Sequence, residues 1–331
     1  MRRTPFLIGA LALGLVASAC GSGTGTGTGT GSASPSVATP TAGGGSQVNA
    51  IVASVDLYAS APQRVGVGLL TNDNHLVSYG TVDFAFAFIG TTEQPQEPEP
   101  GPTATASFVP TPGMSGEGEV PTLTLPSEAR GIYEAQGVTF DRAGYWTVTV
   151  TADVEGAGPQ MSKATLAVNE QPALPAPGQP ALATENLTMA SKDAPKAAID
   201  SRFTTEGTIP DPELHEWTVA RALEEGRPVV LVFGTPVYCV SQFCGPVTDM
   251  IQQLSHEYAD RAVFIHIEIW RDYQNQVINE AAADWLYRNA DLTEPWLFLI
   301  DAHGTIVDRW SSLWTEDEVR AWLDRLPPMK R

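Results

Sequence analysis

Positively charged residues are scarce in this 331-residue chain. It has 19 Lys and Arg against 38 Asp and Glu, and its formal net charge at pH 7 is −19. Proteins that bind nucleic acid or an anionic membrane surface use clusters of cationic side chains to contact phosphates. The chain has no basic cluster of that kind. The composition therefore argues against nucleic-acid binding and leaves a lipid as the means of any membrane attachment.

Long hydrophobic runs are also rare, and the one near the N-terminus is too short to span a bilayer. Residues 6–16 are apolar, follow Arg2 and Arg3, and lead into Ala17-Ser18-Ala19-Cys20. This arrangement resembles a bacterial lipoprotein signal with its lipobox. The resemblance implies that residues 1–19 are removed, that Cys20 is lipidated, and that the protein is anchored on the extracytoplasmic face of the cell membrane. Cleavage after Ala19 of an ordinary secretory signal is the alternative.

Residues 20–46 are rich in Gly, Ser and Thr, a composition typical of a flexible tether. Cysteine is limited to three residues in the whole chain. If Cys20 carries the lipid, Cys239 and Cys244 remain as an even pair in a compartment where disulfides persist. A disulfide between them is therefore predicted.

Residues 47–169 have the pattern of an all-β domain. Several β-rich runs are separated by turn signals, and about six strands in this length suit a β-sandwich. Phe84, Phe86 and Phe88 alternate along one run, as residues on the core face of a strand do. The segment 140–154 resembles a strand region of bacterial immunoglobulin-like domains. That resemblance implies an immunoglobulin-like sandwich without a disulfide.

Two segments have the composition of connectors. Residues 91–129 are rich in Pro, Glu and Gly with few apolar residues, so a long mobile loop is predicted there. Residues 170–209 contain closely spaced prolines and are predicted to be a semi-rigid linker.

Residues 210–327 have the pattern of an α/β domain. Apolar runs at 229–233, 263–269 and 296–300 are separated by segments with helical spacing. The predicted order is helix, strand, helix, strand, helix, strand, strand, helix. Thr315 and Glu318 form a capping-box signature at the start of the last helix.

This order, together with Cys244-Gly245-Pro246 after the first strand and Pro295 before the third, resembles the thioredoxin fold. The resemblance covers residues 210–327, and thioredoxin-like lipoproteins of bacteria join such a domain to a β-rich module. It implies a thiol–disulfide oxidoreductase without a cofactor that acts on the thiols or disulfides of exported proteins. Cys239, Cys244 and a cis Pro295 would then be the catalytic residues.

The chain departs from the thioredoxin pattern at the second cysteine, since Val247 stands where that motif has it. Two alignments compete: one makes Cys239 the attacking thiol and the other makes it Cys244. The positive end of a helix dipole favours Cys244, and exposure in the loop favours Cys239. A non-catalytic binding module with a structural disulfide is the alternative function. Copper binding is less favoured, because residues 289–295, just before the strand that Trp296 begins, contain no histidine and His266 falls within a strand.

Overall fold

A computed structural model describes residues 47–204 and 206–329 of the chain. The predicted signal segment 1–19, the lipidation site Cys20 and the tether 20–46 lie outside the described residues. The described part is mostly β, with several sheets. Within it, no helix combines the length and the apolar character needed to cross a membrane.

The N-terminal β part, residues 47–169, contains ten strands that pair into one continuous sheet in the order β2-β10-β9-β5-β6-β8-β3-β4-β7, with β1 paired to β3. The sequence predicts a sandwich of two sheets, whereas all ten strands of this part are hydrogen-bonded into one sheet. The strands are β1 Val48–Val52, β2 Leu57–Tyr58, β3 Gln63–Thr71, β4 Leu76–Ser78, β5 Thr81–Gly90, β6 Pro95–Pro110, β7 Thr122–Thr124, β8 Gly131–Val138, β9 Gly144–Val154 and β10 Gly158–Asn169.

The core of this part follows from the alternation of its strands. Phe84, Phe86 and Phe88 on β5 are all buried, as their period-2 spacing predicts, while Asp83 and Ala85 face outward. The β5 side chains pack with residues of the neighbouring β9, which lies antiparallel to β5.

The prediction of a mobile loop over residues 91–129 differs from the structure, which has β6 and β7 in this segment. Strand β6 pairs with β5 along its length, but it pairs with β8 only through Ser107–Pro110. Its proline-rich first half therefore has one free edge. Proline is tolerated there, since a free edge needs no backbone N–H donor.

The C-terminal α/β part, residues 210–327, has a four-stranded sheet in the order β12-β11-β15-β16. Strand β12 is parallel to β11, and β15 is antiparallel to both β11 and β16. The predicted order of elements is observed, with a 3-10 turn and a two-stranded hairpin added. The elements are the turn η1 Pro212–His215, α2 Val219–Glu224, β11 Val229–Gly234, α3 Cys244–Glu257, β12 Val263–Glu268, β13 Trp270–Asp272, β14 Val277–Ile278, α4 Glu280–Leu286, β15 Trp296–Ile300, β16 Ile306–Ser311 and α5 Glu316–Leu323.

The ends of the helices follow their sequence signals. The capping box of α5 is formed, with the Thr315 hydroxyl accepting from the Glu318 N–H and the Glu318 carboxylate accepting from the Thr315 N–H. Helix α3 begins at Cys244, and Pro246 is tolerated in its first turn because no intrahelical bond is lost there. Val247, Ile251 and Leu254 then form the buried stripe of α3.

Residues 170–209, predicted to be a linker, lie against the α/β part instead of spanning open solvent. Leu174, Ala198 and Ile199 are buried, the last two in helix α1 (Lys196–Ile199). Pro180 forms a β-bridge with Thr305. The segment contributes apolar residues to the core, which is why its prolines do not act as those of a free spacer.

Two arginines, Arg64 and Arg309, join the β part to the α/β part, which belong to one compact unit. Arg309 on β16 donates to the Asp56 carboxylate at 2.9 Å, and the two side chains are 8 % and 5 % exposed. Arg64 on β3 donates two hydrogen bonds to the Asp308 carboxylate, at 2.8 and 3.0 Å. Its guanidinium also lies 4.3 Å above the ring of Trp310. The two parts are therefore held in one fixed arrangement.

Candidate functional site

The loop between β11 and α3 brings the two cysteines together. Cys239 lies within this loop and Cys244 is the first residue of α3. Their Sγ atoms are 2.50 Å apart and their Cα atoms 6.0 Å apart, so the predicted disulfide pair is confirmed. The pair closes a short loop at the C-terminal end of a central strand.

The two sulfurs differ in exposure. Cys244 is completely buried, whereas Cys239 is half-buried. The Cys244 N–H at the start of α3 points to the Cys239 Sγ at 3.3 Å, and the Ser241 hydroxyl is 3.2 Å from the same sulfur. The helix-dipole argument from sequence favoured Cys244 as the attacking thiol. The burial favours Cys239 instead, because a nucleophile has to be reached and its sulfur already faces donors that stabilise a thiolate.

Pro295 lies beside this pair, as the sequence predicts. The Glu294–Pro295 peptide bond is cis. It directly precedes β15, and the register of β15 on β11 places Trp296 opposite Phe233, close to where β11 enters the cysteine loop. The carboxylate of Glu294 and the two Sγ atoms all lie within 4.8 Å of one another.

Glu294 is the acid of this group. Burial raises its pKa to about 7, and no other group contributes to that change. The side chain therefore changes its protonation near neutral pH, within reach of both sulfurs. Such a group can supply a proton to a leaving thiolate or take one from a thiol.

An apolar groove of about 530 Å³ runs along this site. One wall consists of the cysteine loop and the segment of the cis proline, and the other belongs to the N-terminal β part. Val240 and Ile51, on opposite walls, are 92 % and 56 % exposed. Arg130 of the β part donates a hydrogen bond of 2.6 Å to the Gln242 side-chain oxygen across the groove. Sequence reasoning gave the β part no share in the site, because no motif indicates that the two parts meet here.

Two groups of metal-donor side chains occur among the described residues, and the sequence predicted neither as a metal site. The first is Cys239, Cys244 and Glu294. The second is Asp200, His215 and His266, all buried. His266 was interpreted as a satisfied core histidine, and burial lowers its pKa to about 4. Its partners were missed because they are distant in sequence.

No family model matches this chain, and no curated protein matches it.

Proposed function

We propose that the C-terminal part is a thioredoxin-fold domain that carries out thiol–disulfide exchange on exported proteins. The observation that carries the proposal is the Cys239–Cys244 pair, whose half-buried sulfur lies beside a cis proline at the wall of an apolar groove. The strand order β12-β11-β15-β16 and the position of the cysteines between β11 and α3 support the same fold.

In the oxidising direction, a substrate thiolate attacks the Cys239 Sγ. The Cys239–Cys244 bond breaks, and its electron pair leaves on the Cys244 sulfur, at the positive end of α3. A mixed disulfide between the substrate and Cys239 results. A second thiolate of the substrate then attacks the substrate sulfur of this mixed disulfide. The substrate is released as a disulfide, Cys239 leaves as a thiolate, and the protein retains two reduced cysteines.

In this reaction Glu294 donates and accepts the proton of Cys244. Below its pKa of about 7 the carboxyl group donates its proton to the Cys244 thiolate when that sulfur leaves. In the reducing direction the Glu294 carboxylate accepts the Cys244 proton, and Cys244 resolves the mixed disulfide. An ionised carboxylate this close to the sulfurs also disfavours thiolates. We therefore expect a pair that is not a strong oxidant.

The groove sets the class of substrate. Its walls are largely apolar, so it suits a protein segment with apolar side chains next to the reacting cysteine. Ile51 of the β part and Val240 of the cysteine loop offer the exposed contacts. In this proposal the β part is a substrate-binding wall, and a lipid on Cys20 holds the whole protein at the extracytoplasmic membrane face.

The two single cysteine variants test the exchange reaction. Cys244→Ser leaves the reachable Cys239, which we expect to form a stable mixed disulfide with an excess of an aromatic disulfide reagent. Cys239→Ser leaves only the buried Cys244 and is the matched control, which we expect to react at least tenfold more slowly. Mass spectrometry of the folded proteins measures both rates. Equal rates, or faster labelling of Cys244, would contradict the assignment of Cys239.

A non-catalytic binding module is the second candidate, and the complete burial of Cys244 favours it, since a structural disulfide is usually inaccessible. In that case the groove binds a partner while the disulfide only closes the loop. The double variant Cys239→Ser/Cys244→Ser separates the two functions. Loss of exchange with unchanged peptide binding in the groove is expected for an oxidoreductase. Absence of exchange in the wild type, with intact binding, would leave only the binding module.

A further inference from the structure

A cluster of charged and titratable side chains is buried behind the cysteine loop. Asp200 and Arg202 follow helix α1, Asp211 and His215 lie at the turn η1, and His266 lies on β12. Asp200, Asp211 and His215 have no exposed surface, and His266 is 1 % exposed. Buried polar groups are costly unless their donors and acceptors are paired, so the unpaired atoms of this cluster indicate what it binds.

His266 presents a lone pair to a carboxylate. Its Nε2 lies 3.2 Å from the Gly234 carbonyl oxygen, which can only accept, so Nε2 carries the hydrogen. In a neutral imidazole the Nδ1 atom is then an acceptor. This Nδ1 faces the Asp200 Oδ2 at 3.7 Å and has no hydrogen-bond partner. A neutral His266 and the Asp200 carboxylate would thus be two acceptors facing each other in the interior, an arrangement that a metal ion between them or a proton on Nδ1 would relieve.

His215 points to the same place. Its Nε2 lies 3.5 Å from the Asp200 Oδ2 and 3.4 Å from the Asp211 Oδ1. Neither this Nε2 nor the Asp211 Oδ1 makes a hydrogen bond among the described residues. Arg202 pairs with the other oxygen of Asp211 and with both oxygens of Asp200. The unpaired His215 Nε2 and His266 Nδ1 thus both face the Asp200 Oδ2, which also accepts from Arg202.

We propose that this cluster is a buried site for a divalent transition-metal ion such as Zn²⁺, with the Asp200 Oδ2, His215 Nε2 and His266 Nδ1 as ligands. Ligand atoms bound tetrahedrally to zinc at 2.0–2.1 Å are about 3.3–3.4 Å apart. The Asp200 Oδ2 lies 3.5 Å from the His215 Nε2 and 3.7 Å from the His266 Nδ1, and all three atoms lie within 4.8 Å of one another, so a contraction around the ion would bring them to that value.

The surroundings have the features of such a site. Histidines that bind metals donate their second ring N–H to a carbonyl or carboxylate, as His266 does to Gly234. Arg202 holds the carboxylates from the outside and also donates to Asp249 on α3 at 2.7 Å. Gly234, whose carbonyl faces His266, lies next to the buried Cys244: a methyl group built on Gly234 would be 3.4 Å from the Cys244 Cβ. An ion bound to His266 would therefore fix the end of β11 directly behind this cysteine.

A proton is the competing occupant. Two carboxylates and one guanidinium leave the cluster with one negative charge, which a proton on His215 would neutralise. That proton would satisfy His215 but would leave the His266 Nδ1 facing the Asp200 carboxylate. A metal ion binds the His215 Nε2 and the His266 Nδ1 together with the Asp200 Oδ2. Because the site is sealed, the ion would be incorporated during folding.

Refolding of the full-length chain tests the proposal. The protein, with its disulfide formed, is unfolded with a chelator present and refolded without metal, with Zn²⁺ or with Co²⁺. The Cys239→Ser/Cys244→Ser protein is treated in parallel, because reduced thiolates bind zinc themselves. We expect about one zinc ion per chain after desalting, a tetrahedral Co²⁺ absorption spectrum and a higher melting temperature than that of the metal-free protein.

The variants His266→Gln and His256→Gln locate the site. His266→Gln is expected to lose at least tenfold in zinc content, whereas His256→Gln, at an exposed histidine on α3, keeps it. If His266→Gln does not fold, the zinc content and the Co²⁺ spectrum of the wild type decide. Less than about a tenth of an equivalent of zinc, with the same melting temperature with and without zinc, would overturn the proposal in favour of the proton.

Discussion

Replacing Glu294 by Gln should make the protein more stable at alkaline pH. The folded-state pKa of Glu294 is raised from 4.5 to about 7, with burial as the cause. Below pH 4.5 this carboxyl group is protonated in both the folded and the unfolded chain, and its full contribution to stability is present. As the pH rises from 4.5 through 7, the unfolded chain loses the proton more readily than the folded chain, and this contribution is lost. A pKa that differs by one between the folded and unfolded chain corresponds to about 1.4 kcal/mol, so the ionised side chain costs about 3 kcal/mol at pH 8. Gln has the same shape and never ionises.

Denaturant unfolding of the oxidised wild type and of Glu294→Gln, at steps between pH 5 and pH 8, measures this cost. We expect the variant to gain about 2–3 kcal/mol relative to the wild type between these limits, because the side chain is partly screened by solvent. Other carboxyl groups with a raised pKa, such as Glu134 with a pKa of about 7, titrate equally in both proteins. Their effect therefore cancels in the difference between the two unfolding free energies. A difference in unfolding free energy that does not change with pH would refute the reasoning.

Three further predictions concern the exchange reaction, the joint between the two parts and the groove. The pH–rate profile of exchange by the wild type should show an apparent pKa near 7, and this pKa should be absent from the profile of Glu294→Gln. If the variant has the same profile as the wild type, Glu294 does not take part in the proton transfer. Arg309→Met leaves the buried Asp56 carboxylate without its cation and should cost about 3 kcal/mol in denaturant unfolding. Arg142→Met, at an exposed pair, is its control and should cause no measurable loss, and an equal loss in both would contradict the reasoning. Ile51→Asp should raise the KM for apolar peptide substrates about tenfold. Met161→Asp, at an exposed site outside the groove, is the control and should leave the KM unchanged. Equal KM values for the two variants would exclude the β part from substrate binding.

The elements that could be predicted from sequence are those with a strong local pattern. The five apolar residues of β15 were predicted with both ends correct, since a fully buried strand needs apolar side chains on both faces. The alternating phenylalanines of β5 and the capping box of α5 were also confirmed. In each case the signal lies within a few neighbouring residues.

What was missed depends on contacts between distant residues. Strand β6 was predicted as a loop because its prolines and glutamates have no apolar alternation, and its pairing with β5 could not be inferred from its own composition. The groove lies between the β part and the α/β part, which Arg64 and Arg309 connect through ion pairs that no local pattern predicts. His215 and Asp200 carry no motif, and Asp200 lies near His266 because residues 170–209 pack against the α/β part.

The redox potential of the Cys239–Cys244 couple tests the central claim most directly. Soluble protein that begins after Cys20 is equilibrated with glutathione or dithiothreitol buffers, and the fraction of disulfide is measured after quenching. Exchange proteins have potentials between about −120 and −270 mV, and we expect a value within this range and towards its lower end. A potential well below about −300 mV is that of a structural disulfide and would contradict the proposed reaction.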